Sequence, residues 1–161
     1  MDKIFKDLKA ILLENNLKLS TAESCTGGLI SSYLTDIDGA SKFIEQNFVT
    51  YAPSAKEKFL KVSPNTIKKY GVVSKEVAKE MAEGLFQYAD CTVSTTGFAG
   101  ESDDDRNPMG TVYIGLGLKN KNEIKTIRFV SKFKTRKEIK KDFAETAIKE
   151  LLIFLEKNLS K

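Results

Sequence analysis

The sequence contains no histidine and no tryptophan, and only two cysteines and three prolines among 161 residues. Without histidine there is no Ser-His-Asp or Cys-His catalysis, no histidine-ligated zinc and no histidine pH switch. Acid–base chemistry therefore falls to Lys, Tyr, Ser, Cys or carboxylates. Cys25 and Cys91 lack CxxC spacing and are too few for a disulfide framework, which excludes a zinc ribbon or thioredoxin-like site and points to a reduced, cytoplasmic chain. Long apolar runs are missing too. The longest, residues 151–155, is far short of the roughly 20 residues that span a bilayer. Residues 1–9 alternate charged with apolar side chains, unlike a signal peptide, so no membrane partner is expected.

What remains is an ordinary globular composition, 41% hydrophobic and 30% charged, at a length that suits a single domain over 1–161. No linker, low-complexity tract or internal repeat interrupts it. The formal net charge of +4 hides an asymmetry, because residues 119–141 carry ten Lys or Arg against only Glu123 and Glu138. Such a cluster either meets nucleic acid or forms the solvated side of a strand and helix. No aromatic stacking motif accompanies it, so nucleic acid is not the expected partner.

Ile4, Phe5, Leu8, Ile11 and Leu12 recur at helical spacing, predicting a helix that ends near Asn15 and Asn16. A strand over 17–22, a helix over 26–35 opened by Gly27 and Gly28, and a short β-prone run at 48–51 follow. Pro53 and Pro64 suit first helical positions, Ser63 and Ser74 suit N-caps, and Thr135 with Glu138 reads as a capping box for the last helix. Strands are predicted at 90–96, 111–118 and 124–130, the last two as an antiparallel pair. This order gives a three-layer α/β/α sandwich with a mixed sheet of about five strands. Sites in open α/β sheets form at the carboxyl ends of strands, which here are residues 24–28, 51–56 and 96–110.

The stretch Thr21-Ala-Glu-Ser-Cys-Thr-Gly-Gly28 sits at a strand-to-helix turn where glycines permit close backbone approach and free N–H groups can hold an anion. Ser24 stands where a nucleophile would, although a helix cap with packing glycines fits the same pattern. Lys56, in the first turn of a helix starting at Pro53, can have its pKa lowered by the helix dipole and so take a proton from Ser24; a solvated helix lysine is the alternative. Tyr51 can relay that proton or hold the amine. Weaker candidates are Cys25 as a nucleophile, the Ser131-x-x-Lys134 pair, and a divalent-cation site at Glu101, Asp103, Asp104 and Asp105. Gly115 and Gly117 lie within a strand and do not open a helix, so they are not a dinucleotide fingerprint.

Six ordered stretches are similar to those of the CinA C-terminal-domain family, which includes stand-alone nicotinamide-nucleotide amidases. They are Ala-Glu-Ser-Cys-Thr-Gly-Gly, Phe48-Val-Thr-Tyr-x4-Lys56, Gly71-Val-Val-Ser-x-Glu76, Met81-Ala-Glu-Gly84, Thr96-Gly-Phe-Ala-Gly100 and Pro108-Met-Gly-Thr-Val112. The resemblance implies hydrolysis of the carboxamide of nicotinamide mononucleotide to nicotinate mononucleotide and ammonia, with no metal and no cofactor. It places the nucleophile on Ser24, the base on Lys56 and the supporting tyrosine on Tyr51. Substrate contacts fall on Cys25, Thr26, Gly27 and Gly28 at one turn, on Thr96, Gly97 and Gly100 at another, and on Arg136. Backbone N–H groups around 25–28 are the implied oxyanion donors. The implied partners are a small-molecule nucleotide substrate and further copies of the chain in a homo-oligomer. Where the family has a Pro-Gly-Gly run and a later Lys, this chain has Glu101-Ser-Asp-Asp-Asp-Arg-Asn107, whose carboxylates would repel a phosphate, with Arg106 as a partial counterweight. Lys140 stands where a second Arg is usual. These departures leave open a catalytically altered nucleotide-binding or regulatory module.

Overall fold

The computed structural model describes residues 1–159, so the last two residues of the expected 1–161 domain lie outside the described residues. Five strands, β1 (Leu19–Glu23), β2 (Ile44–Val49), β3 (Cys91–Gly97), β4 (Thr111–Leu118) and β5 (Glu123–Val130), form one sheet in the order β2-β1-β3-β4-β5. The β1–β2 and β1–β3 pairs are parallel, whereas β3–β4 and β4–β5 are antiparallel, so the sheet is mixed. Strand β1 is buried throughout and β3 nearly so, as strands covered on both faces must be.

Six α-helices cover the sheet: α1 (Asp2–Glu14), α2 (Leu29–Thr35), α3 (Pro53–Leu60), α4 (Pro64–Tyr70), α5 (Lys75–Gly84) and α6 (Arg136–Leu159). On one face Leu8 and Leu12 of α1, Ile30 and Leu34 of α2 and the Ile139, Phe143, Ala147, Leu151 and Leu155 ladder of α6 pack with Val112, Ile114 and Leu116 of β4. A smaller cluster on the other face joins Ala22 to Leu60, Val62, Val77, Met81 and Leu85. Helix α5 lies directly on β4, where a Cβ on Gly115 would fall 2.4 Å from the Ala78 carbonyl oxygen. The strand glycines are therefore packing requirements.

Three local expectations need correction. Helix α2 begins at Leu29, not at residue 26, because Gly27 and Gly28 adopt φ of +62° and +95° and hold residues 24–28 as a turn. Strand β2 starts at Ile44 and ends before Tyr51; it is an edge strand with several exposed side chains, so its Glu-Gln-Asn segment carries no apolar alternation to read. Ser63 occupies the N-cap of α4, but its hydroxyl makes no capping bond; Glu80 of α5 accepts from the Ser63 amide at 2.7 Å and from the Thr66 hydroxyl at 2.6 Å. Ser74 caps α5 through the Val77 amide, and Thr135 caps α6 through the Glu138 amide.

Candidate active site

Strand β1 delivers Glu23 and Ser24 to opposite sides of the sheet. The Glu23 carboxylate reaches toward α2, where it accepts from Ser31, and Ser24 faces the segment that joins β2 to α3. That segment leaves the ladder after the Thr50 amide donates to the Glu23 carbonyl at 2.8 Å, and Pro53 starts α3 with its ring at the first turn. Lys56, three residues on, is turned inward and is 0% exposed.

The Lys56 amine sits 2.9 Å from Ser24 Oγ, 2.6 Å from the Thr50 carbonyl oxygen and 3.1 Å from the Tyr51 carbonyl oxygen. A neutral amine has two N–H donors and one lone pair. With both donors on the two carbonyls, the lone pair is left for the Ser24 hydroxyl. Burial pushes the Lys56 ammonium down to about 8, with the neighbouring Cys25 acting weakly the other way. The depression therefore arises from desolvation more than from the helix terminus invoked above.

Tyr51 contributes through its backbone. Its carbonyl accepts from Lys56, while the residue as a whole is 60% exposed and its hydroxyl accepts from Arg136 Nη2 at 3.0 Å. The phenol is thus not placed to relay a proton between Ser24 and Lys56. Cys25 is also corrected as a nucleophile, because burial pushes its thiol up to about 12 and keeps it protonated.

A cavity of about 200 Å³ opens on Ser24, and its walls include Cys25, Tyr51, Thr96, Gly97, Gly100 and Arg136. Thr26, Gly27 and Gly28 do not line it. The Thr26 hydroxyl donates to Glu23, the Gly27 amide to the Ser24 carbonyl and the Gly28 amide to Glu23, so these groups are spent on the turn itself. Arg136 at the start of α6 lies over Gly100, where a Cβ would come 2.6 Å from Nη1, and Lys140 one turn later lies over Gly27. The basic helix end thereby closes over both glycine turns.

The acidic loop is mostly directed elsewhere. Of its carboxylates only Glu101 reaches the cavity wall. Asp104 accepts from Arg106 Nε at 2.9 Å and Nη2 at 3.1 Å and from Asn107 at 2.9 Å, which hold its carboxyl down to about 2. Arg106, expected to offset the loop near a phosphate, instead lines a separate cavity of about 480 Å³ with Arg128 and Tyr113. No group of three or more His, Cys, Asp or Glu among the described residues could hold a metal ion. Ser131 donates to Asp142 at 2.5 Å, and among the described residues no lysine amine bonds its hydroxyl, so Ser131 and Lys134 are not a second dyad.

The model of the CinA C-terminal domain matches residues 1–155. The chain belongs to that family. A CinA-like protein of Chlorobium limicola is 41% identical over 154 residues, covering 91% of this chain and 35% of the relative. The chain spans about a third of the length of such curated relatives. Among solved structures, a competence-damaged protein (CinA) superfamily protein from Escherichia coli matches with a TM-score of 0.87 at 33% identity, covering 92% of this chain and 87% of that one. A competence/damage inducible protein from Agrobacterium tumefaciens matches with a TM-score of 0.85 at 34% identity, covering 95% of each chain.

Sequence reasoning missed several parts of this CinA-family site. Val72, Val73, Phe98 and Ala99 supply cavity wall; the sequence offers them only as apolar letters of the 71–76 and 96–100 motifs, with no chemistry of their own to single them out. Glu23 was legible only as one letter of the Ala-Glu-Ser-Cys motif, and its contacts require the folded turn.

Proposed function

We propose that this chain hydrolyses the carboxamide of nicotinamide mononucleotide with Ser24 as nucleophile and Lys56 as general base. The observation that carries this reading is the fully buried Lys56 amine, fixed by two carbonyls with Ser24 Oγ 2.9 Å away. Neutral Lys56 takes the Ser24 proton as Oγ bonds to the amide carbon. Cys25 lines the cavity beside Ser24, and its amide, which donates to no carbonyl among the described residues, is the proposed oxyanion donor. The C–N bond then breaks, and ammonia leaves with the proton held by Lys56. Water, deprotonated in turn by Lys56, cleaves the acyl-Ser24 ester to release the carboxylate product. Arg136 at the cavity rim is the group suited to a substrate phosphate, by a forked pair of N–H bonds.

Glu101 in the same wall favours a second reading, a nucleotide-binding or regulatory module with the catalytic step weakened by a carboxylate near the phosphate. Incubation of the purified chain with nicotinamide mononucleotide separates the two. Ammonia release that falls by roughly a thousandfold in both Ser24→Ala and Lys56→Ala is the expected result. Binding by calorimetry without any release would select the second reading.

A further inference from the structure

We propose that Glu23 is a positioning residue for the Ser24–Lys56 pair, holding the nucleophile's turn through the hydrogen bonds its carboxylate oxygens accept; this rests on the Ser/Lys reading above. Glu23 is 0% exposed, and no Lys or Arg lies within ion-pair distance of it among the described residues. A buried carboxylate without a cation is costly unless hydrogen bonds satisfy its oxygens. Here five donors do so. Oε2 accepts from the Thr26 hydroxyl at 2.7 Å and the amides of Gly28 and Ile30 at 2.9 and 3.1 Å. Oε1 accepts from the Ser31 amide at 2.8 Å and the Ser31 hydroxyl at 2.6 Å.

These donors explain why the turn keeps its shape. The first amides of a helix need acceptors, and the residue at the N-cap of α2 is Gly28, which has no side chain to offer one. Glu23 supplies the cap from the preceding strand. The two positive-φ glycines make the turn permissible, and the carboxylate selects it from the other conformations open to a Gly-Gly pair. Because Glu23 and Ser24 are adjacent and face opposite ways, clamping one fixes the direction of the other. The Glu23 main chain extends the same control to the base, since its carbonyl accepts from the Thr50 amide at 2.8 Å and the Thr50 carbonyl holds Lys56 at 2.6 Å. Replacing the carboxylate by an amide would put N–H groups where these amide donors now find an acceptor.

The test measures Ser24 reactivity independently of substrate identity. A fluorophosphonate forms a bond from Ser24 Oγ to phosphorus, fluoride leaves, and the hydroxyl proton passes to Lys56. Phosphonylation is followed by intact mass for wild type, Glu23→Gln, Ser31→Ala and Ser24→Ala, with melting temperature and circular dichroism alongside. We expect wild type to label, Glu23→Gln to label at least about tenfold more slowly at a temperature where it is folded, and Ser31→Ala to slow about two- to threefold. In amide turnover the loss in Glu23→Gln should fall on kcat, with KM changed less than about threefold. A folded Glu23→Gln that labels at the wild-type rate overturns the proposal. If Glu23→Gln does not fold, Ser31→Ala decides, and a lowered melting temperature with an unchanged labelling rate overturns it equally. Failure of wild type to label removes the Ser/Lys reading itself and this proposal with it.

Discussion

At the scale of single residues, the site depends on what backbone carbonyls do to one lysine. Lys56 is removed from water, which disfavours its ammonium, yet its N–H groups still find the Thr50 and Tyr51 oxygens. The residue stays buried without becoming an unsatisfied donor and offers a basic lone pair above about pH 8, well below the range of an ordinary lysine. The Tyr51 side chain has a different task, bridging to Arg136 at the cavity rim. Tyr51→Phe keeps the carbonyl that holds Lys56 and loses only the hydroxyl bridge. Steady-state ammonia release should therefore show kcat reduced less than about tenfold, with any larger change in KM, against the roughly thousandfold loss expected for Lys56→Ala. A Tyr51→Phe enzyme as inactive as Lys56→Ala would assign the proton transfer to the phenol.

At the scale of elements, the site is assembled from the ends of β1, β2 and β3 and the start of α6, and glycines set how closely those elements approach. The clearest case is α5 against β4. A methyl group on Gly115 would meet the Ala78 carbonyl at 2.4 Å and Ser94 Oγ at 2.5 Å, and a main-chain atom cannot step aside as a side chain does. Gly115→Ala should destabilise the chain by about 1–3 kcal/mol, read as a lower denaturant midpoint with an unchanged slope. An unchanged midpoint would show that α5 can lift from the sheet at no cost.

Legibility in the sequence follows the same physics. The apolar ladder of α6, the central strands and the caps at Ser74 and Thr135 declare themselves by periodicity or by local hydrogen-bond chemistry. Strand β2 does not, because an edge strand is specified by backbone pairing with β1 more than by alternation. The motif at 24–28 marks Ser24 as the candidate nucleophile, but it does not show that the Gly28 amide is occupied by Glu23, since that bond depends on the left-handed turn. The acidic loop read as a repulsive wall. In three dimensions Asp104 is neutralised by Arg106, and only Glu101 reaches the cavity.

For the whole molecule, the sandwich places a buried amine and a hydroxyl together on one side of the β1 terminus and a buried carboxylate on the other. The basic segment of the chain serves this arrangement at one end, with Arg136 and Lys140 over the glycine turns, and is partly neutralised elsewhere by Lys125 with Glu150 and Lys141 with Glu145. A lysine base also makes the fold and the activity share one titration. Burial holds Lys56 near 8 instead of 10.5, so below that pH it carries a proton and cannot accept the one from Ser24. The most direct measurement is kcat/KM for ammonia release from nicotinamide mononucleotide between about pH 5.5 and 9.5, since this parameter reports groups of the free protein. Activity should rise about tenfold per unit to a plateau above roughly pH 8 and stay roughly a thousandfold lower in Lys56→Ala across the range. A flat profile, or release in Lys56→Ala close to the wild-type rate, would contradict Lys56 as the base.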